Sequence, residues 1–342
     1  MIYFDITKTG DSGHHSGLLR VSRRLREELA AATPVAWAEG GWRLARGGAA
    51  VEPGENDWVL TAELFSEEER PGLTAWAGRR TCGWAAVFHD AIPLRWPRIT
   101  WPRSVARHPG YLKLLAQCDH VWAVSAASRE ELTGYWRWLG AGPVPAVDVL
   151  ALGADFDGSP RRPAAAGAAP QLLCVGILEP RKNQAFLLEV AETLWRGGLA
   201  FGLTLVGRVN PHFGRPVAAQ VRRLRREFPG LRHLDGLDDA ALAREFARAR
   251  ATVFPTMAEG CGLPLIESLW RGVPCVASDL PVLRENAAGG GCVLVPPGDA
   301  AGWADALRRV LTDDAHHGQL AGQAATRELP TWAGAAAALR AR

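Results

Sequence analysis

Short apolar runs alternate with segments of helical periodicity along almost the whole chain. Such runs are typical of buried strands, and the segments between them repeat apolar residues at three- and four-residue spacing. Strands that alternate with helices predict an α/β protein with parallel sheets and helices on their faces. The candidate strands are Ile2–Ile6, Val35–Ala38, Trp58–Thr61, Ala85–His89, Val121–Val124, Val147–Leu150, Leu172–Ile177, Gly202–Val206, Leu231–Leu234, Ala251–Phe254, Val273–Ala277 and Cys292–Val295.

The length of 342 residues exceeds what one ordinary core accommodates, so two domains are expected. The segment Gly153–Pro170 is rich in Gly, Pro and Ala and has few groups that could build a core. Its composition is typical of a linker. We predict two α/β domains over residues 1–155 and 156–325, followed by a final helical segment over residues 326–342.

Composition narrows the class of protein further. The formal charge of +3 is too small to indicate a nucleic-acid partner. Six cysteines without a C-x-x-C pair, several of them inside apolar runs, suggest reduced, buried thiols in a cytoplasmic protein. The start MIYFDITKTG has no signal-peptide pattern, and no apolar stretch is long enough to span a bilayer.

The most informative segment runs from Val253 to Asp279. A strand leads into a loop that contains Glu259 and two glycines, and Pro264 then suits the start of a helix that carries Glu267. A helix start attracts anions, and glycine lets a ligand approach the backbone closely, so a phosphorylated ligand is indicated. On these residues alone, an equally good interpretation is that Glu259 caps the helix and Glu267 is a first-turn carboxylate.

A second segment, Leu172 to Trp195, has the same strand, loop and helix order. Its loop, E-P-R-K-N, carries Arg181 and Lys182 at the carboxyl end of a predicted strand, where open α/β sheets bind ligands. Two cations beside a helix start could hold a diphosphate, Arg181 as a fork and Lys182 as a point charge. The alternative is a solvated loop with two ordinary surface cations.

These two segments, in this order, resemble the retaining family 4 glycosyltransferases. E-G-C-G-L-P-L-I-E matches their paired-glutamate motif. The resemblance implies the GT-B fold, with two Rossmann-like domains facing a central cleft. It implies that Glu259 lies beside the donor sugar and Glu267 holds the donor ribose, while Arg181 and Lys182 stabilise the leaving nucleoside diphosphate. The remaining donor-loop residues would be Gly260, Cys261, Gly262 and Leu263, with Cys261 at a position that is often aromatic in relatives.

The glycine-rich stretch Thr9–Arg20 follows the first strand and precedes an amphipathic helix. Its spacing is not G-x-G-x-x-G, so it does not indicate a dinucleotide. The resemblance implies that this loop faces the donor diphosphate. The residues it would contribute are Gly13, Gly17 and Arg20.

His89 lies at the carboxyl end of a predicted strand, in V-F-H-D-A-I-P. A histidine there could donate a hydrogen bond to a sugar hydroxyl or exchange a proton near neutral pH. H-D-x-I-P resembles the first-domain motif whose histidine contacts the donor sugar. The alternative is a histidine buried by a hydrogen bond to Asp90.

The segment from Arg95 to Tyr111 interleaves arginines and tryptophans with prolines. A loop of this composition could meet an anionic acceptor or a membrane surface. It could equally be a covered structural loop with solvated arginines.

The resemblance therefore predicts a retaining hexosyltransferase that uses a nucleoside-diphosphate sugar, with mannose as the suggested sugar. The acceptor would be a glycan or lipid-linked glycan in bacterial surface polysaccharide synthesis. The first domain would bind the acceptor, the second would bind the donor, and the final helix would pack on the first. No Asp-x-Asp motif lies in the expected place, so no metal or other cofactor is expected, and peripheral contact with the inner face of the plasma membrane stays open. The alternatives are a non-catalytic nucleotide-sugar-binding protein and a GT-B sugar-nucleotide epimerase.

Overall fold

The apolar runs of the sequence form the strands of two separate sheets in the computed structural model. The structure describes residues 1–10, 17–155, 161 and 170–341. The chain divides into two units: residues 1–153 together with 330–342, and residues 154–329. Within the described ranges, no helix combines the length and apolarity needed to cross a bilayer.

The sheet of the first unit has eight strands: β1 Ile2–Asp5, β2 Thr33–Ala38, β3 Gly41–Leu44, β4 Ala50–Val51, β5 Trp58–Thr61, β6 Gly83–Phe88, β7 His120–Ala123 and β8 Ala146–Val149. Their order across the sheet is β4-β3-β2-β1-β5-β6-β7-β8. All neighbouring strands are parallel except β2–β3 and β3–β4, which are antiparallel. The helices up to residue 150 are α1 Gly17–Glu28, α2 Leu73–Arg79, α3 Ile92–Arg95, α4 Pro102–Leu115 and α5 Ala126–Leu139.

Strands β3 and β4 extend the sheet where the sequence pattern predicts no strand. Glu39 and Gly40, at φ 53° and 76°, form the two-residue turn between β2 and β3. Positive φ at both central residues is what the tightest hairpin turn requires. Trp42 on β3 is buried and meets Trp37 of β2 edge-to-face at a centroid distance of 5.1 Å. Because only short, mixed segments form this hairpin, apolar periodicity does not reveal it.

The segment from Arg95 to Tyr111 is mostly helical, which corrects the expectation of a loop. A 3-10 turn over Pro97–Ile99 follows α3, and α4 begins at Pro102. Both prolines lie in the first turn of their helices, where the missing N–H costs little.

The second unit has a six-stranded sheet, parallel throughout: β9 Gln171–Val175, β10 Gly202–Val206, β11 Leu231–Leu234, β12 Ala251–Phe254, β13 Cys275–Ser278 and β14 Cys292–Val295. The order is β11-β10-β9-β12-β13-β14. These are the strands predicted for this half, with small shifts at their ends. Its helices are α6 Gln184–Arg196, α7 Arg215–Leu224, α8 Asp239–Arg248, α9 Leu263–Trp270, α10 Pro281–Ala287, α11 Ala300–Thr312 and α12 Asp314–Thr326.

Each sheet contains a point where the strand order reverses. In the second unit the chain runs from β9 outward to β10 and β11, then returns to β12 on the other side of β9. In the first unit, β1 lies in the same way between β2 and β5. Loops that leave such neighbouring strands diverge at their carboxyl ends, and open α/β sheets bind ligands in the crevice between them.

The last helix, α13 Trp332–Arg340, belongs to the first unit and packs against α1. Trp332 is fully buried, and Arg340 Nη1 lies 3.3 Å from the Glu28 carbonyl oxygen. Most of the predicted linker lies outside the described residues. Arg161, a described residue of this linker, has its guanidinium group 5.5 Å from the ring centre of Trp270, a residue of the second unit.

Candidate functional site

Two loops meet at the reversal point of the second sheet. One follows β9 and forms a 3-10 turn over Pro180–Lys182 before α6 begins. The other follows β12 and ends at Gly262, where α9 begins. The backbone joins them, because the Arg181 carbonyl oxygen accepts hydrogen bonds from Met257 N at 2.8 Å and Thr256 Oγ1 at 3.1 Å.

The Glu259 carboxylate contacts both cationic side chains of the site, Arg181 and Lys182. Its Oε1 accepts hydrogen bonds from Arg181 Nη1 at 3.0 Å, Lys182 Nζ at 2.7 Å and Thr256 Oγ1 at 2.7 Å. In the described part of the chain no hydrogen bond reaches Oε2. Burial opposes ionisation of Glu259, but the charges of Lys182 and Arg181 and these hydrogen bonds outweigh it and lower its pKa. Glu259 is therefore a carboxylate with one oxygen saturated and the other able to accept a hydrogen bond.

Lys182 is held on three sides and is not a solvated surface cation. Its alkyl chain lies over Gly176, and its ammonium lies 4.8 Å from the ring centre of Phe254. The ion pair with Glu259 provides the third contact. Burial lowers the pKa of Lys182, while Glu259 acts in the opposite direction. A cation with so little water around it interacts strongly with a nearby anion, because few water dipoles screen its charge.

Arg181 is fixed in a similar way. Its Nη1 donates to the carbonyl oxygen of Ala258 at 3.0 Å as well as to Glu259. Its Nε and Nη2 both lie near Glu179 Oε1, at 3.1 and 3.0 Å. Arg181 and Lys182, predicted to act together, thus lie side by side against the predicted Glu259.

The remaining predicted donor-loop residues form the entry to α9. Gly262, with a φ of 78°, directly precedes the helix. The Glu259 carboxylate accepts from Arg181, Lys182 and Thr256 and not from the first N–H groups of α9, so Glu259 does not cap this helix. Asn286 Nδ2 donates to the Cys261 carbonyl oxygen at 2.5 Å, which fixes the turn. Burial raises the pKa of the Cys261 thiol to about 12, so this thiol is a poor nucleophile.

Three further predicted residues belong to this turn and to α9. Gly260 is buried, and Leu263, which is half-buried, is the first residue of the helix. Glu267 is buried within α9, beyond its first turn.

The first unit contains the other predicted residues. His89 follows β6 and is buried, and its Nε2 lies 2.9 Å from the Ala62 carbonyl oxygen. Its hydrogen-bond partner is therefore this carbonyl group and not the Asp90 carboxylate, whose Oδ1 accepts from Ile92 N. Burial lowers the pKa of His89, so the ring is neutral at pH 7, with Nε2 protonated towards Ala62.

Of the glycine-rich loop, Gly13 lies outside the described residues. Gly17 is exposed at the start of α1, and Arg20 is half-buried in its first turn. These residues and His89 belong to a different unit from the Arg181, Lys182 and Glu259 cluster, and their predicted roles stay predictions.

Sequence reasoning did not single out three residues that shape the cluster: Glu179, Thr256 and Asn210. Glu179 and Thr256 lie within the E-P-R-K-N and F-P-T segments, so their position beside a motif was the available signal. Asn210 lies after β10, where nothing in the sequence marks it. No group of three or more His, Cys, Asp or Glu side chains in the described ranges could hold a metal ion.

Comparison with known proteins bears on the fold and on the family resemblance. Over its full length the fold is similar to that of sucrose-phosphate synthase from Thermosynechococcus elongatus, with a TM-score of 0.74, 18% identity and coverage of 99% of this chain and 97% of that chain. The predicted GT-B fold is thereby confirmed.

Residues 169–313 match the family described as glycosyl transferases group 1. The serotype-specific mannosyltransferase WbdA of Escherichia coli is 34% identical over 249 residues, which are 67% of this chain and 29% of that protein. The O-antigen chain mannosyltransferase B of Escherichia coli is 30% identical over 205 residues, 57% of this chain and 52% of that protein.

The chain thus spans less than a third of the length of WbdA. These matches are to glycosyltransferases, and the fold is GT-B, as the sequence motifs indicated.

Proposed function

We propose that the chain is a retaining glycosyltransferase. It moves a sugar from a nucleoside-diphosphate sugar to a hydroxyl group of a glycan or lipid-linked glycan. The observation that carries this proposal is the convergence of Arg181 and Lys182 on Glu259 at the reversal point of a parallel sheet. Two cations there suit a diphosphate, and a carboxylate with an open oxygen suits a sugar hydroxyl.

Transfer breaks the bond between the anomeric carbon and the diphosphate oxygen and forms a bond from that carbon to the acceptor oxygen. Negative charge grows on the diphosphate as it leaves, and Lys182 and Arg181 would stabilise it. Glu259 Oε2 would accept a hydrogen bond from the donor sugar. Retention requires the acceptor to attack on the face from which the diphosphate leaves, with its proton passing to a diphosphate oxygen.

The names of the relatives support the choice of sugar and pathway. Both Escherichia coli relatives are named mannosyltransferases, and one is named for the O-antigen chain. We therefore propose mannose as the first sugar to test and bacterial surface polysaccharide synthesis as the setting. The reaction would take place in the cytoplasm or at the inner face of the plasma membrane.

The segment from Arg95 to Tyr111 is a proposed contact for the acceptor or the membrane. Trp101 is 44% exposed, whereas Arg103 and Arg107 form ion pairs with Glu68. Flotation with anionic vesicles tests the membrane alternative: co-flotation that Trp101→Ala abolishes supports it, and absence of binding rejects it.

The first experiment measures transfer by Glu259→Gln and Lys182→Ala. Wild type is first screened by thermal shift against GDP-, UDP- and dTDP-sugars, and turnover is measured with the sugar that binds. Lys182→Ala removes a cation from the leaving diphosphate, and Glu259→Gln removes the carboxylate that holds Arg181 and Lys182 and would accept a hydrogen bond from the donor sugar. We therefore expect kcat to fall by at least about 100-fold in each variant. Lys182→Met, which fills the buried space, separates loss of charge from loss of packing.

Glu189→Gln and Lys113→Ala, at exposed positions on α6 and α4, are matched controls that should keep wild-type turnover. Near-normal turnover in both site variants would reject the proposed roles. Donor binding without transfer or hydrolysis would identify a non-catalytic binding protein, and formation of free sugar without acceptor would identify an epimerase.

A further inference from the structure

Arg181 is held along two different edges of its guanidinium group. Along one edge, Nε and Nη2 both contact Glu179 Oε1, at 3.1 and 3.0 Å. Along the other, Nη1 contacts the Ala258 carbonyl oxygen and Glu259. Glu179 therefore leaves Nη1 directed towards the loop that carries Glu259.

Glu179 is itself tethered. Its Oε2 accepts a hydrogen bond from Asn210 Nδ2 at 2.9 Å, and its backbone N–H donates to Gln184 Oε1 at 3.3 Å. Glu179 is thus connected to the loop after β10 as well as to the start of α6.

Asn210 is a rigid anchor for this tether. Its side chain is buried, and its Oδ1 accepts from the backbone N–H groups of His212 and Phe213, at 3.0 and 3.2 Å. Its own N–H donates to the Leu178 carbonyl oxygen at 3.1 Å. A side chain with its amide engaged at both ends has one orientation, so Glu179 has a fixed partner.

The charge of Glu179 opposes the binding of a diphosphate beside Arg181. A carboxylate at this position is therefore not explained by affinity for an anion. It is explained by orientation, since a free arginine side chain must lose rotamer freedom before it can serve a transition state. With Nε and Nη2 engaged by Glu179, Arg181 can exchange Glu259 for a phosphate oxygen at Nη1 without moving.

We propose that Glu179 and Asn210 are positioning residues, which act through Arg181 to keep its Nη1 edge directed at the leaving diphosphate. This inference rests on the proposed function of the site. Glu179 and Asn210 would support Arg181 without contacting the donor or the acceptor.

The test compares Glu179→Gln, Glu179→Asp and Asn210→Asp in the full chain. Glu179→Gln keeps the length and removes the charge, whereas Glu179→Asp keeps the charge and shortens the reach. Asn210→Asp keeps the acceptor for His212 and Phe213 but replaces the donor to Glu179 with an oxygen. We expect kcat to fall by about tenfold in each, with the donor KM within about twofold of wild type.

Binding of GDP and UDP, measured by calorimetry, separates positioning from collapse of the site. The nucleoside diphosphate that binds to wild type is used for the comparison. Glu179→Gln should bind it with equal or higher affinity, because a nearby negative charge is gone. Glu192→Gln is the matched control: Glu192 also pairs with two arginines, Arg196 and Arg223, but on the surface, and it should retain wild-type kcat. Wild-type kcat in Glu179→Gln and Glu179→Asp, or a loss of nucleotide affinity parallel to the loss of kcat, would overturn the inference.

A second readout does not need turnover. Nitrogen-15 spectra of the arginine side chains, with the Arg181 Nε signal assigned from Arg181→Lys, should show slow N–H exchange in wild type and faster exchange in Glu179→Gln. Unchanged exchange would reject the tether even if the enzyme were inactive. Absence of transfer and hydrolysis by wild type with a protected Nε signal would reject the proposed function and leave the tether standing.

Discussion

Two carboxylates and one guanidinium group are buried together in the first unit. Arg70 Nη1 lies 2.6 Å from Asp5 Oδ2, and its Nη2 lies 3.1 Å from Glu63 Oε2, with all three side chains fully inaccessible to solvent. Glu63 also accepts the backbone N–H groups of Lys8 and Thr9 at 2.8 and 2.7 Å. The start of the loop after β1 is therefore held by a buried acid that sequence reasoning did not identify.

Removing the guanidinium group should be costly and pH-dependent. Arg70→Met leaves two buried carboxylates unpaired, and we expect a loss of about 3–5 kcal/mol in the free energy of unfolding at pH 7. Burial, and then the charge of Asp5, raise the pKa of Glu63 above its ordinary 4.5. Between pH 4.5 and this raised pKa, Glu63 keeps its proton in the folded protein but has lost it in the unfolded chain. The free energy of unfolding therefore decreases as pH rises from about 4.5 to the raised pKa.

Urea unfolding between pH 5 and pH 8 measures both effects, with the exposed Arg98→Met as the control. The variant should lose stability with increasing pH more steeply than wild type, because its carboxylates lack a counter-charge. A variant within about 1 kcal/mol of wild type across this range would contradict the buried-cluster interpretation.

At the scale of elements, helix α13 packs closely against Gly153. A Cβ built on Gly153 would lie 2.2 Å from the backbone nitrogen of Trp332 and 2.5 Å from its Cγ. Neither atom can move without displacing the helix. Gly153 is thus required by the close approach of another element and not by the conformation of its own backbone.

Gly153→Ala should therefore loosen α13. We expect a loss of about 1–3 kcal/mol in the free energy of unfolding, as for an overpacked site. Hydrogen exchange should accelerate in α13 and in α1, on which it packs. Gly142→Ala is the matched control, since no atom lies within 4 Å of a Cβ at that position. Equal stability of the two variants would show that α13 is not held at this contact.

The whole molecule consists of two units, each with its own sheet and core. Leu112 in the first core and Leu205 in the second are both fully buried. This division predicts that damage to one core stays within its unit, because the apolar contacts of each leucine lie among residues of the same unit.

Leu112→Ala and Leu205→Ala test that expectation as a reciprocal pair. Each should cost about 2–5 kcal/mol, as for a cavity in a packed core. Hydrogen exchange read by mass spectrometry should accelerate within residues 1–153 for the first variant and within residues 170–329 for the second. Acceleration of both units to the same extent in either variant would mean that the chain unfolds as one cooperative body.

Most strands of the second unit were predictable because they are short apolar runs in a parallel sheet, bounded by turn residues. The edge strand β11 is an exception in composition, because Arg232 and His233 lie between its two leucines. The hairpin of β3 and β4 was not predictable, because it depends on a two-residue turn and on tryptophan packing. The segment from Arg95 to Tyr111 was expected to be a loop, whereas Pro97 and Pro102 lie in first helical turns and Pro109 lies inside α4.

The amino-acid sequence determined the α/β class, the strands of the second unit and the two loops that carry Arg181, Lys182 and Glu259, since periodicity and turn chemistry are local properties. It could not determine that these side chains share one carboxylate oxygen, because Arg181 and Glu259 are 78 residues apart in the chain. Only the adjacency of β9 and β12 in the folded sheet brings their loops together. Asn210 is unremarkable in the sequence, and it reaches Glu179 because β10, which precedes it, lies on the other side of β9.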